Sequence, residues 1–158
     1  MLHLIPAPLH RIALRTAHGL RKAWWRLRRP VLLGCRIVAF DDAGHVLLIR
    51  HSYGSDSWTV PGGGLRRGED PVAAAMREFA EETGCTLIAA RQFALVEEPL
   101  FGATNRVHLI TGTAAGALLP DGREIMAAAF HSLHALPEPL SPNLAAGIAD
   151  WLAAIDRA

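Results

Sequence analysis

The chain has 158 residues, of which 51% are hydrophobic and 20% charged, and its formal net charge is +1. That length provides one domain able to bury a core without cross-links, and the composition excludes a disordered, collagen-like or disulfide-framework protein. No apolar run reaches the ~18 residues a transmembrane helix needs, and Cys35 and Cys85 stand far apart with no metal-ligand spacing, which fits two free thiols in a reducing, cytoplasmic compartment.

The small net charge conceals a division. Residues 1–30 carry seven Lys and Arg and no acid, which leaves nine bases against fifteen acids in 31–158, a net of −6. This basic arm has helical periodicity: Arg11, Arg15, His18, Lys22, Arg26 and Arg29 form one stripe, and Leu9, Ala13, Thr16, Leu20, Trp24 and Leu27 another on the opposite face. Gly19 weakens its middle and Pro30 ends it. Four readings suit such a basic amphipathic helix. It can lie on an anionic membrane surface with Trp24 and Trp25 at the headgroups, contact nucleic-acid phosphates, serve as a cleavable transit segment, or pack its apolar stripe on the domain or on a second copy in a homodimer. A signal peptide is disfavoured, since no clean apolar core segment exists.

From Val31 the pattern changes to short apolar runs. VLLGCRIVAF, the turn Asp41-Asp42-Ala43-Gly44 and HVLLIRH predict a hairpin over 31–51. A polar loop, 52–57, leads to Trp58-Thr59-Val60-Pro61 and then Gly62-Gly63-Gly64, where successive glycines let the backbone approach a ligand closely. Tyr53 and Trp58 are candidates for stacking a nucleobase; the alternatives are a loop-surface tyrosine and a core tryptophan.

The next segment predicts a helix with readable ends: Asp70 as N-cap, Pro71 at the first position, and Gly84 at the exit. Val72, Met76, Phe79 and Thr83 form the stripe expected to be buried, while Ala75, Glu78 and Glu82 form a second, aimed at a cleft. Glu78, Glu81 and Glu82 fall at i, i+3 and i+4, and like charges at such spacing repel by a few tenths of a kcal/mol per pair, roughly, unless a cation sits among them. Hard carboxylate oxygens at this density suit Mg²⁺ or Mn²⁺. Arg77, four residues before Glu81, is placed to orient that carboxylate.

Beyond Cys85, TLIAARQFALVEE predicts one or two strands, PLFGATN a loop, and RVHLITGTAAG a further strand. A short strand, a Pro-rich connection and a closing amphipathic helix from about Pro142 follow, with Leu144, Ile148, Trp151, Leu152 and Ile155 on one face. Strands alternating with helices make this an α/β layered domain. His131 and His134 stand three apart without a third ligand nearby, so zinc is disfavoured; His51 and His108 are candidates to face a pocket or to sit on the sheet surface.

The string running from Gly63 through Glu69 to Arg77-Glu78-Phe79-x-Glu81-Glu82-x-Gly84-Cys85 resembles the Nudix box, GX5EX7REUXEEXGU, at all seven fixed positions; the two U positions hold apolar Phe79 and Cys85. The W-x-x-P-G-G approach is similar to the segment preceding that box in the family. The resemblance implies a Nudix-type α/β/α sandwich with a mixed β-sheet over 31–158, preceded by the N-terminal arm of residues 1–30. It also implies metal ligation by Glu78, Glu81, Glu82 and a backbone carbonyl of Gly62 or Gly63, with Gly62–Gly64 on the phosphate side and Arg77 and Glu69 as braces. Candidates for the general base are Glu78, Glu81 and Glu124, the last because Arg123-Glu124-Ile125 precedes a stretch similar to a late family motif; Glu97 and Glu98 are weaker competitors. The implied reaction is divalent-metal-dependent hydrolysis of a nucleoside diphosphate linked to X, where X makes a nucleotide sugar, an ADP-ribose-like compound or a nucleoside triphosphate. Pro99 and Phe101 match no subtype marker of the family. The alternative is a non-catalytic nucleotide-sensing domain whose arm binds nucleic acid or membrane.

Overall fold

A computed structural model of the protein describes residues 30–120 and 122–157. The basic arm, with its readings as a lipid, nucleic-acid or dimer contact, lies outside the described residues. Among those described, no helix is long and apolar enough to cross a membrane.

Among the described residues, the elements are six strands and two helices: β1 (Val31–Phe40), β2 (Val46–His51), β3 (Gly62–Gly64), α1 (Pro71–Thr83), β4 (Thr86–Leu100), β5 (Ala103–Ala115), β6 (Ile125–His131) and α2 (Pro142–Ile155). The sheet is mixed, in the order β4-β5-β1-β2-β6, with β3 paired to β1 off that path. β1 runs parallel to β5 over ten register pairs, while β4–β5 and β2–β6 are antiparallel. The predicted hairpin forms, but β1 and β2 pair only where Phe40 meets Val46. They then diverge, and the 58–64 segment enters the opening: Ile49 bridges Thr59, Ile37 N–H donates to Pro61 O at 2.9 Å, and Gly62–Gly64 pair with Arg36, Cys35 and Gly34. That insertion carries the glycine turn into the middle of the sheet.

Each face of the sheet buries one apolar cluster. Cys35, Ile37, Leu47, Ala75, Phe79 and Ile110 pack under α1, and Val38, Leu48, Val60, Leu109, Leu144 and Trp151 under α2. Complete burial of Phe79 contributes about 1.5–3 kcal/mol. Both cysteines are free thiols and buried.

Two expectations change. Met76 is 42% exposed, and the buried face of α1 is Ala74, Ala75, Phe79, Glu82 and Thr83, turned toward the carboxylates by most of one residue step. The helix must cover the sheet and the glycine turn together, so its apolar stripe does not face the core squarely. The PLFGATN segment is not a loop either. β4 continues to Leu100 and β5 restarts at Ala103, joined by Phe101 and Gly102 with φ of 49° and 86°. Two successive positive φ values are the primed hairpin turn, whose twist matches that of the flanking strands.

Candidate active site

The ends of α1 are set as their residues require. Asp70 Oδ1 accepts from the N–H groups of Val72 and Ala73 at 3.0 Å each, Pro71 needs no donor partner, and Gly84 at φ 76° donates to Ala80 O. Capped in this way, the helix lies beside β3 and presents its glutamates to the glycine turn. Glu78, Glu81, Glu82 and Glu124 line one pocket of about 270 Å³, whose further walls are Tyr53, Gly62–Gly64 and Ile125.

Each carboxylate has a distinct setting. Glu82 is buried and accepts from Gly62 N–H at 2.9 Å. Burial pushes its pKa up to about 8, with the neighbouring charges of Glu78, Glu124 and Glu81 adding to the rise and the Gly62 bond opposing it. Glu78 accepts from Arg77 Nη1 at 2.7 Å. Glu81 is 57% exposed, with Arg77 at 3.6 Å and Arg66 at 4.0 Å. Glu124 accepts from the Tyr53 hydroxyl at 2.9 Å, and its backbone carbonyl receives Ser52 N–H at 2.8 Å.

Arg77 is the hub of the cluster. Its Nε and Nη2 donate to the two oxygens of Glu69 at 2.9 Å each, its Nη1 to Glu78, and its Nη2 also to Gly64 O at 3.3 Å. The paired hydrogen bonds from Arg77, joined by Arg66 N–H, hold the Glu69 carboxyl down at about 2, and the same partners raise the already high pKa of Arg77. Only a planar guanidinium meets that carboxylate with two parallel donors and still reaches a second one.

The glycines are sterically required. A Cβ on Gly63 would lie 2.4 Å from Glu78 Cδ, and one on Gly62 would lie 2.2 Å from Cys35 O. The Cys35 thiol donates to Gly63 O from beneath, at 3.7 Å, and burial pushes its pKa up to about 11, so it acts as a neutral packing group.

The expected site residues therefore converge, with one exception. Trp58 lies outside the pocket: Arg50 covers its ring at 5.6 Å and His131 meets it edge-on at 5.0 Å. Tyr53 is in the pocket, but its hydroxyl is engaged with Glu124. Glu98, weighed as a base from its place at a strand end, accepts from both Arg36 Nη atoms and from Asn105. Arg36 and Asn105 went unnoticed in the sequence. Their one signal is an arginine inside the apolar run VLLGCRIVAF.

Residues 32–154 match the family described as NUDIX domain. The "Putative 8-oxo-dGTP diphosphatase" of Bacillus subtilis is 28% identical over 119 residues, 75% of this chain and 78% of that protein. Diphosphoinositol polyphosphate phosphohydrolase 2 of Mus musculus is 42% identical over 79 residues, 50% of this chain and 44% of that protein. Among solved structures, the MutT NUDIX hydrolase from Burkholderia pseudomallei superposes with a TM-score of 0.68 at 23% identity, covering 75% of this chain and 96% of that one; at such identity the likeness establishes the fold alone. With the family match spanning most of the chain, and the box residues gathered around one pocket, the protein belongs to the NUDIX family and is a Nudix hydrolase.

Proposed function

We propose that the chain hydrolyses a phosphoanhydride in a nucleoside diphosphate linked to a further group X, with the pocket beneath the glycine turn as the reaction centre. The observation that carries this reading is the convergence of Glu78, Glu81, Glu82 and Glu124 on one small pocket walled by Gly62–Gly64. Gathering that much negative charge beside a buried carboxylate is costly without a cation.

The donor set fits Mg²⁺ or Mn²⁺, being carboxylate and carbonyl oxygen throughout. Among the described residues, no three His, Cys, Asp or Glu side chains already surround one point. That suits a cation held by a few carboxylates together with substrate phosphates, the usual habit of Mg²⁺. Glu78, Glu81, Glu82 and the Gly63 carbonyl would hold it; when bound, it supplies Lewis acidity at the phosphoryl oxygens.

The chain's own residues do the rest. Gly62 N–H fixes the Glu82 carboxylate, and Arg77 fixes Glu78. Glu124 stands outside α1, immediately before β6, and its Oε1 is steadied by Tyr53. Glu78 is tied to Arg77 and Glu81 is largely solvated, so Glu124 is the base. It takes a proton from water as the new O–P bond forms, and the bridging P–O bond breaks with its electron pair leaving on the departing group. The products are a nucleoside monophosphate and phosphorylated X, or pyrophosphate when the substrate is a triphosphate.

The test is formation of the nucleoside monophosphate, with Mg²⁺ or Mn²⁺, from a panel of ADP-ribose, nucleotide sugars, nucleoside triphosphates and 8-oxo-dGTP; the last is included because a relative is named for it. Turnover that Glu82→Gln and Glu124→Gln each reduce at least about a hundredfold is the expected result. A panel with no turnover, unchanged by Glu82→Gln, would remove the enzymatic reading.

A further inference from the structure

A second pocket, about 760 Å³, shares Gly62–Gly64 with the carboxylate pocket, so one molecule can span the two across β3. Leu100, Val60 and Val107 contribute apolar surface to its lining, and Gly34, Arg36 and Asn105 bring polar groups and open space to it. The polar groups form a network across three strands. Arg36 on β1 reaches over β5 to Glu98 on β4, donating from Nη1 at 2.9 Å and from Nη2 as well, while its guanidinium lies 5.9 Å from the Trp151 ring centre. Glu98 also accepts from Asn105 Nδ2 at 3.2 Å.

This arrangement decides which way the Asn105 amide faces. A carboxylate gripped by both prongs of a guanidinium only accepts, so Asn105 must turn its NH₂ to Glu98 and its Oδ1 away. Oδ1 then lies over Gly34, 3.7 Å from where a Cβ on that glycine would stand. The described residues donate no hydrogen bond to it. The result is an acceptor of fixed orientation in an otherwise partly apolar pocket, above a residue that contributes no side chain.

We propose that Asn105 is a specificity-determining residue that accepts a hydrogen bond from an N–H on the edge of the substrate's nucleobase, and that Arg36 and Glu98 are positioning residues that hold its amide in the accepting sense. The inference rests on the hydrolase reading in one respect: phosphates at the carboxylates place the nucleoside across β3. An apolar slot takes the face of any base, so the ring surface contributes affinity without choice. One oriented acceptor discriminates, because a base that brings an acceptor to the same place leaves both groups unpaired.

Binding of the four nucleoside monophosphates AMP, GMP, CMP and UMP, by calorimetry with the wild-type chain, tests this without requiring turnover. The wild-type protein is expected to separate the best from the worst by about tenfold or more, and Asn105→Ala to bring all four within about threefold. Glu98→Gln is expected to level them likewise with Asn105 still present, since the amide is then free to turn; it serves as the second variant should Asn105→Ala fail to fold, which a melting curve reveals. A spread that survives either substitution in a folded protein, a uniform weakening of all four with the spread intact, or no binding by the wild type overturns the proposal. Selective binding without turnover of any member of the substrate panel sinks the enzymatic reading and leaves this one standing; hydrolysis with no base preference does the reverse.

Discussion

The hydroxyl of Tyr53 donates to Glu124 Oε1 at 2.9 Å, joining two pocket residues that are 71 positions apart in the chain. The loop after β2 and the residue immediately before β6 are clasped a second time, by Ser52 N–H on the Glu124 carbonyl. Tyr53→Phe removes only the side-chain bond. It is expected to lower kcat by about tenfold with KM little changed, whereas Glu124→Gln lowers kcat by about 10²–10⁴. Steady-state kinetics with both variants checks this; an unaltered kcat in Glu124→Gln would move the base elsewhere.

The two glycines of the turn are expected to fail differently when given a methyl group. At Gly63 the new Cβ meets the mobile end of Glu78, 2.4 Å from Cδ, so the carboxylate swings aside and the fold survives. At Gly62 it meets the backbone oxygen of Cys35 at 2.2 Å, which cannot yield. Gly63→Ala should keep its melting temperature and need a higher Mn²⁺ concentration for half-maximal activity. Gly62→Ala should be destabilised by about 1–3 kcal/mol in a denaturant titration.

Arg77 grips Glu69 with two nitrogens and Glu78 with a third. Lysine keeps the charge but not the fork, so Arg77→Lys is expected to behave nearly as badly as Arg77→Ala. Loss of a group that orients metal ligands costs about 10–100-fold in metal affinity. Metal titrations of activity in the two variants measure it, and full rescue by lysine would show that charge alone is needed.

Glu82 makes the metal-free protein sensitive to alkali. Its pKa is 4.5 in the reference state and about 8 when folded, so between these values the folded chain binds the additional proton. The stability this contributes is complete below about pH 4.5 and is lost as pH rises through about 8. In chelator-containing buffer the melting temperature should fall over that interval, and Glu82→Gln should flatten the fall. Added Mg²⁺ or Mn²⁺ should restore the most stability at the alkaline end, where the carboxylate it meets is ionised.

Residues close together in sequence were readable because local rules govern them. The cap at Asp70, the exit at Gly84, the i, i+3, i+4 spacing of the glutamates and the box string itself depend on helical geometry and turn chemistry within two dozen residues. The Phe101–Gly102 turn was not readable, since nothing in PLFGATN resembles an Asn-Gly hairpin signal; pairing along the whole of β4 and β5 imposes it. Met76 was misplaced for a related reason, because a stripe of apolar residues predicts a buried face only when one surface does the covering.

By itself, then, the sequence determined the carboxylate helix, the glycine turn before it and the family to which both belong. Only the tertiary structure decided what those parts meet. It brought Glu124 and Tyr53 to the glutamates of α1, revealed Arg77 as a fork shared by Glu69 and Glu78, and set Arg36, Glu98 and Asn105 side by side on three strands. Such contacts arise from strand order and register, and these follow from packing both faces of the sheet at once.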